Sequence, residues 1–206
     1  QIGSDNVYGT VSPAGSATVA ILDTGVDASH PDLNGVVLPG KNIITGTTDT
    51  ADDNGHGTEM AGIVAAETNN GEGIAGVGYA GVKVLPVKVL GADGTGTDSD
   101  VINGVVWAVG HGANVILMSF SNPGYSSALQ TAITYAWNHG VVVVAAVGND
   151  DGNTVTYPAG DQGVIGVAST GLGDTPSSFS NTGADVFLAA PGEGIYVPLG
   201  HRYLGA

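Results

Sequence analysis

The chain contains no cysteine and only four lysine and arginine residues. Without cysteine it forms neither disulfides nor thiolate zinc sites. Its 19 aspartate and glutamate residues give a formal net charge of −15, which repels phosphate backbones, so we expect no nucleic-acid partner. The sequence also lacks an uninterrupted apolar run of about 18 residues, the length that spans a membrane, and we expect no membrane partner.

The length and composition are typical of one folded domain. A chain of 206 residues is large enough to bury a core without cross-links. Its 35 glycines and nine prolines predict many turns, whereas apolar residues make up 42% of the chain and fall in runs, which argues against disorder. No repeat or linker divides the sequence, and we expect a single domain over residues 1–206.

Apolar, β-branched runs alternate with segments whose apolar residues recur at helical spacing. The predicted strands are residues 18–22, 82–90, 114–120, 141–147 and 164–168, with 184–190 as a weaker prediction. The predicted helices are residues 56–66, 98–110 and 126–139, the second with Thr97 or Asp98 as N-cap. Trp107 and Trp137 fall within these helices, and we expect both in the core.

Strand and helix in alternation predict an α/β fold of three layers, αβα, with a mostly parallel, doubly wound central sheet. Ligands of such sheets bind beyond the carboxyl ends of the strands. Asp23, Ser119 and Asn149 lie at or just after three predicted strand ends. We therefore expect these polar residues to meet at one edge of the sheet.

Short motifs run along almost the whole chain. They include Ile21-Leu-Asp-Thr-Gly25, His30-Pro-Asp-Leu33, His56-Gly-Thr58, Thr68-Asn-Asn70, Val87-Lys-Val-Leu-Gly-Ala-Asp-Gly94, Met118-Ser119, Gly148-Asn149, Tyr157-Pro-Ala159, Ser178-Phe-Ser-Asn181 and Ala190-Pro-Gly192. Together they resemble the subtilisin-like serine peptidases, most closely the thermitase-like branch. One such match is weak, but their number, order and spacing argue against chance. The resemblance implies a subtilisin-like fold and a secreted serine endopeptidase.

The resemblance assigns three catalytic residues. Asp23 matches the acid that orients and stabilises an imidazole, and His56 matches the base that takes the proton of a serine. Asn149 matches the donor whose amide meets the negative oxygen of the tetrahedral intermediate. Taken singly, each is also typical of ordinary structure, since Asp, His and Asn commonly cap turns or helices.

Glu59 and Met60 depart from the family pattern, which usually has His and then Val after the Gly-Thr. Both fall one turn into the helix predicted to begin at His56. A glutamate there complements the helix dipole, and its charge raises the pKa of His56 if the two side chains approach.

Two further segments resemble the backbone walls that flank an extended substrate and pair with it as an added strand. The expected substrate-binding residues are Gly94, Thr95, Gly96, Ser119, Phe120, Ser121 and Ala146. Phe120 replaces a residue that is more often aliphatic, and it is equally typical of a pocket wall and of the end of a core strand. As a pocket wall it implies a preference for apolar or aromatic side chains before the scissile bond.

The resemblance also implies calcium as a cofactor. The residues that match the strong calcium site of the family are Asp32, Glu67, Asn70, Glu72 and Ile74. Asp32 and Asn70 would supply side-chain oxygens and the others carbonyl oxygens, the ligands that calcium prefers. Asp49, Asp52 and Asp53 form a second acidic cluster, which is either a solvated loop or a second ion site.

The nucleophilic serine is not recognisable in the chain. In the family it opens a helix in a Gly-Thr-Ser-Met-Ala motif, shortly after the segment that residues 191–206 resemble, and no serine here lies in such a motif. We expect a domain incomplete at its C-terminus and shortened at its N-terminus, inactive alone, with the serine on a further fragment of the same protein and polypeptide as substrate. The alternatives are an inactive truncated product or peptide-binding module, and a metal-dependent hydrolase built around His56.

Overall fold

A computed structural model gives the fold and describes residues 2, 10, 15–199 and 202–205, with side chains as far as Pro198. A seven-stranded sheet forms the centre of the described part, in the order β2-β3-β1-β4-β5-β6-β7. All its neighbouring strands are parallel. The strands are β1 Ala17–Asp23, β2 Lys41–Asn42, β3 Val82–Lys88, β4 Val115–Met118, β5 Val142–Ala146, β6 Val164–Thr170 and β7 Leu188–Pro191.

Three α-helices cover the sheet, and two smaller elements complete the described structure. The helices are α1 His56–Ala65, α2 Asp98–Gly110 and α3 Ser127–Asn138. A short 3-10 helix occupies Pro31–Leu33, and an antiparallel hairpin joins β8 Tyr196–Leu199 to β9 Arg202–Gly205.

Alternate side chains of β1 enter two different hydrophobic cores. Ala20 and Leu22 belong to a cluster shared with α2 and α3, whereas Val19 and Ile21 belong to a cluster shared with α1. Because successive strand residues point to opposite faces, both faces of β1 are buried. The expected three-layer αβα fold with a parallel, doubly wound sheet is therefore confirmed.

Two of the three described α-helices begin with a side-chain cap, and the cap of α2 is one of the two that the sequence suggested. Thr97 caps α2 by accepting a hydrogen bond from the backbone N–H of Asp100 at 3.2 Å, and Ser126 caps α3 by accepting one from Leu129 at 3.3 Å. Such caps satisfy backbone donors that the first helical turn leaves without partners. The core strands and helices end within about four residues of their predicted limits.

The expectation that both tryptophans lie in the core is wrong for Trp137, which is 59% exposed. The buried positions of α3 are Leu129, Ala132, Ile133 and Ala136, and Trp137 follows that stripe by one residue, so it points to the solvent side. Trp107 is half-buried and packs against the core, with its ring stacked on His111 at a centroid distance of 3.8 Å.

Candidate active site

Asp23 is the last residue of β1, and its side chain is buried, with 1% of the residue exposed. Its Oδ1 accepts a hydrogen bond from the backbone N–H of Thr24 at 2.7 Å. The Asp23 carbonyl accepts two more, from the N–H groups of Val89 and Leu90. The carboxylate is therefore held at the carboxyl end of the sheet by the strand and by the loop after β3.

His56 is the first residue of α1, and its ring lies against Asp23. The distance from His56 Nδ1 to Asp23 Oδ1 is 2.8 Å. A carboxylate only accepts hydrogen bonds, so Nδ1 carries the proton and Nε2 of the neutral ring is left as a proton acceptor. The His56 side chain keeps 39% of its surface exposed, so part of the imidazole ring is accessible to solvent.

The backbone at the start of α1 lies directly against the backbone of the turn that follows β1. A Cβ placed on Gly57 would overlap the carbonyl oxygen of Gly25, and the N–H of Gly57 donates to Thr24 Oγ1 at 3.0 Å. Only glycine permits this approach, which brings the start of α1 beside the end of β1. The spacing of Asp23 and His56 follows from it.

The charges around His56 raise its pKa above the ordinary value of 6.5. The hydrogen bond to Asp23 is the largest cause, and the charges of Asp23, Glu59 and Asp52 act in the same direction, whereas burial opposes them. The sequence-based expectation that Glu59 acts on His56 agrees with this arrangement. A proton taken up at Nε2 is thus stabilised by the surrounding carboxylates.

Asp52 is a supporting residue that the sequence analysis did not recognise. Its Oδ1 accepts from Thr24 Oγ1 at 2.8 Å and from the Gly55 N–H at 2.8 Å. Its Oδ2 accepts from the N–H and the hydroxyl of Thr58, at 2.9 and 2.6 Å. Asp52 therefore joins the residue after Asp23 to residues on both sides of His56, and these donors lower its own pKa even though burial, the largest single contribution, raises it.

The other two acids of the predicted second cluster are also engaged. Asp53 Oδ1 lies 2.6 Å from the Nζ of the buried Lys88, which also donates to the Thr24 carbonyl. Asp49 accepts from the Ala51 N–H at 3.1 Å. The loop is solvated at Asp53, whose side chain is 57% exposed, but Asp52 and Asp53 also tie it to Thr24 and to Lys88 of β3.

Asn149 is exposed on the turn after β5, and Asn181 holds that turn in place. The Asn181 side chain accepts from the N–H groups of Asp150 and Gly152 at 2.9 and 3.0 Å, and donates to the Val147 carbonyl at 2.9 Å. The preceding Gly148 has a φ of +98°, and a Cβ there would lie 2.7 Å from Ser121 Oγ. The turn of Asn149 therefore packs directly on a predicted substrate-binding residue.

A cavity of about 300 Å³ lies between the two segments expected to flank a substrate. Gly94, Thr95, Gly96, Phe120 and Ser121 line it. Phe120 also packs against the larger hydrophobic core, so it serves as pocket wall and strand end together. Ser119 and Ala146 do not line this cavity; they are half-buried beside the carboxyl ends of β4 and β5.

The predicted calcium residues lie together around the buried Asp32. Asp32 Oδ1 accepts from the Asn70 amide and Oδ2 from the Ile74 N–H, both at 2.9 Å, while the Asp32 carbonyl accepts from the Glu67 N–H at 2.8 Å. Asn70 Oδ1 accepts from the Glu72 N–H. Asp32 is 0% exposed and makes no ion pair within the described residues. A buried carboxylate without a cationic partner is a suitable ligand for a hard cation such as calcium.

Among the described residues there is no group of three or more His, Asp or Glu side chains placed to hold a metal. The predicted site depends instead on one carboxylate, one amide and backbone carbonyls. The Asn70 amide nitrogen faces Asp32, so the amide would have to rotate to direct its oxygen at an ion shared with Asp32, and calcium binding stays a prediction.

The predicted site residues are gathered at one edge of the sheet. β1, β4 and β5 are consecutive neighbours in a parallel sheet, so Asp23, Ser119 and Asn149 all follow strand ends on the same side. Of the predicted catalytic residues, Asp23 and His56 are in direct contact. The catalytic roles of all three remain predictions.

Fold and site together define a hydrolase class in which a buried acid at a strand end supports a histidine at a helix start. Residues 15–203 match the Subtilase family, peptidase S8. The chain therefore belongs to the Subtilase family of serine peptidases.

Known relatives agree with this assignment. Thermitase of Thermoactinomyces vulgaris is 45% identical over 186 residues, covering 90% of this chain and 66% of thermitase. The major intracellular serine protease of Bacillus subtilis strain 168 is 42% identical over 196 residues, covering 91% of this chain and 61% of that protein. The crystal structure of a cold-adapted subtilisin-like serine proteinase superposes with a TM-score of 0.84 at 34% identity, over 93% of this chain and 68% of that one.

The chain thus spans less than two thirds of the length of these two sequence relatives. Within the described residues no helix has the length and apolar character needed to cross a membrane.

Proposed function

We propose that this chain carries the acid, the base, the oxyanion donor and much of the substrate groove of a serine endopeptidase. The enzyme hydrolyses peptide bonds in extended polypeptides by acyl transfer, and the nucleophilic serine comes from a segment outside residues 1–206. The observation that carries this proposal is the 2.8 Å contact between Asp23 and His56 at the carboxyl edge of the sheet. Residues 1–206 alone are proposed to have no turnover.

In the proposed reaction His56 Nε2 takes the proton of the serine hydroxyl as its oxygen attacks the scissile carbonyl. The imidazolium that forms is stabilised by Asp23, which stays ionised, and by the charges of Glu59 and Asp52. The Asn149 amide donates to the oxygen that becomes negative. His56 then gives its proton to the leaving amine, and the acyl-enzyme is hydrolysed by water through the same base.

The test is a chimera in which residues 1–206 are followed by the C-terminal part of a family member that contains the Gly-Thr-Ser-Met-Ala motif. A serine-directed phosphonate is expected to label the grafted serine, and His56→Ala in the same chimera is expected to abolish labelling. Residues 1–206 alone are expected to stay unlabelled.

Two results would contradict the proposal: labelling of a serine within residues 1–206, or a chimera that is folded by circular dichroism and yet unlabelled. In the second case the alternative, an inactive peptide-binding module, would be favoured if the chimera still bound peptide.

Calcium and secretion belong to the same proposal. Asp32 and Asn70 would hold the ion through side-chain oxygens and Glu67, Glu72 and Ile74 through carbonyls, and the ion would neutralise a buried carboxylate and fix the loop at 67–74. Secretion is supported by the high negative charge, which is typical of proteins in an extracellular or salty medium, while the cysteine content is compatible with either compartment. The intracellular relative means that similarity alone does not select the compartment.

A further inference from the structure

The cavity between the two substrate-flanking segments has an apolar floor and an acidic rim. Leu90, Val101 and Leu129, all buried, contribute to its lining, and so does Phe120. Asp98, the first residue of α2, also lines it and is exposed. No lysine or arginine is among the lining residues, so the cavity offers a carboxylate without a cation beside it.

Asp98 differs from the other acids near it because its carboxylate makes no hydrogen bond or ion pair with any described residue. Asp93 accepts from the N–H and hydroxyl of Thr95, and Asp100 accepts from the Thr97 hydroxyl at 2.6 Å. The negative charge of Asp98 is therefore available to a ligand.

A second carboxylate lies close behind the same cavity. The N–H of Asp161 donates to the carbonyl of Pro158, which lines the cavity, at 3.0 Å. Asp161 is 4% exposed, and neither of its carboxylate oxygens has a hydrogen-bond partner within the described structure. Burial, with a further contribution from the charge of Asp98, raises the pKa of Asp161 to about 6. A second acid without a counter-charge among the described residues therefore lies next to the cavity wall.

We propose that this cavity is a specificity pocket for a cationic side chain, lysine or arginine, of the bound polypeptide. The proposal rests on the proposed function, because the cavity lies between the segments expected to flank a substrate. The methylene groups of a long basic side chain would cover the apolar floor while its charged end reaches Asp98 at the rim. Phe120 lines the same cavity, so the apolar contact expected from Phe120 would be made here by the methylene groups of that side chain.

A divalent ion fits the cavity less well than a basic side chain. A hard cation takes six or more oxygen ligands, whereas most of this lining is Leu, Val, Phe and Pro. An exposed ion pair with one carboxylate is worth up to about 1 kcal/mol, which corresponds to a few-fold preference.

The experiment is a positional scan of fluorescein-labelled octapeptides with residues 1–206, which we expect to bind peptide without cleaving it. One lysine is moved through an alanine background, and each peptide is paired with one that has norleucine, an uncharged residue of similar length, at the same position. Fluorescence anisotropy at low salt measures Kd. At one position lysine is expected to bind about two- to fivefold more tightly than norleucine.

The variant Asp98→Asn is expected to remove that difference. Asp100→Asn is the matched control and is expected to keep the difference. It removes the same charge two residues further along α2, but the Asp100 side chain already accepts a hydrogen bond from Thr97 and does not line the cavity. Circular dichroism checks that both variants fold.

Equal binding of lysine and norleucine peptides at every position would overturn the proposal, as would a lysine preference that survives in Asp98→Asn. If no peptide of either kind binds, the pocket proposal is overturned, whereas the proposed function is decided by phosphonate labelling of the chimera. The two failures are therefore distinguishable.

Discussion

The carboxylate of Asp52 bridges Thr24 and Thr58, accepting from the Thr24 hydroxyl at 2.8 Å and from the Thr58 N–H at 2.9 Å. Thr24 follows Asp23 and Thr58 is two residues after His56. Asp52 therefore fixes the two chain segments whose side chains form the predicted catalytic pair.

Replacing Asp52 is expected to destabilise the protein and to loosen this pair. Asp52→Ala leaves the N–H groups of Gly55 and Thr58 without their acceptor, and we expect the free energy of unfolding to fall by about 2–4 kcal/mol, measured by urea denaturation. Asp49→Ala is the control, because Asp49 accepts one hydrogen bond within its own loop and is expected to cost less than about 1 kcal/mol. Equal losses for the two variants would contradict the bridging role of Asp52.

The pKa of His56 is expected to lie above 6.5 and to depend on Asp23. An NMR titration of the imidazole protons measures it. Asp23→Asn should move the pKa downward, since the largest stabilising contact of the protonated ring is lost, while Asp100→Asn should leave it in place. An unchanged His56 titration in Asp23→Asn would show that the 2.8 Å contact does not exist in solution.

The same raised pKa links His56 to stability with a definite sign. The folded protein holds the proton more tightly than the unfolded chain, so this contribution is fully present below pH 6.5 and is lost as the pH rises through the folded pKa. Removing Asp23 should flatten that part of the stability profile.

Asp161 is expected to make the protein less stable as the pH rises toward neutrality. Its folded pKa of about 6 lies above the ordinary value of 3.8 for the free side chain, so the folded state favours the neutral acid. The contribution of Asp161 to the free energy of unfolding is fully present below about pH 4, and it is lost as the pH rises through the folded pKa of about 6. Thermal melts should show that Asp161→Asn raises Tm relative to the parent protein at pH 8 but not at pH 4; a Tm difference independent of pH would contradict this linkage.

Calcium is expected to raise the melting temperature through Asp32. Adding excess calcium to chelator-treated protein should raise Tm by several degrees, because an ion bound only by the folded state stabilises it. Asp32→Asn should melt lower and lose the calcium response, whereas Asp49→Asn should keep it. A parent protein whose Tm is the same with chelator and with calcium would contradict the site.

Asn149 is expected to act on turnover rather than on binding. In the labelled chimera, Asn149→Ala should lower kcat about 10²- to 10³-fold with little change in KM, a magnitude that comes from subtilisin itself. Asp151→Asn, at an exposed position of the same turn, serves as control. A loss confined to KM would assign Asn149 to substrate binding instead.

The strands and helices that build the core could be predicted because their apolar residues dictate them. The run of valines at 141–144 needs cover on both faces, and the stripes of α2 and α3 have helical spacing. β2 was missed because two residues, Lys41 and Asn42, carry no periodicity. Trp137 was misplaced because a large aromatic was assigned to the core without regard to the stripe beside it.

The motifs implied the contact of Asp23 with His56, but they did not reveal the hydrogen bonds of Asp52 that hold the two segments together. An acidic cluster before a helix resembles a solvated loop, and only the folded backbone shows that Thr24, Gly55 and Thr58 all point donors at Asp52. The Asp98 and Asp161 pair was likewise invisible, since 63 residues separate the two acids along the chain and only tertiary structure brings their charges together.

The close approach of Gly57 to Gly25 limits how the candidate site can be engineered. A Cβ on Gly25 would lie 2.6 Å from the Thr50 carbonyl oxygen, and one on Gly57 would strike the Gly25 carbonyl. Neither position tolerates a side chain, so directed evolution that seeks to reposition the imidazole has no substitution to use there. Such variants will have to leave the contacts of Thr50, Asp52 and Asp53 in place, and the exposed residues 45–49 of the same loop meet that condition.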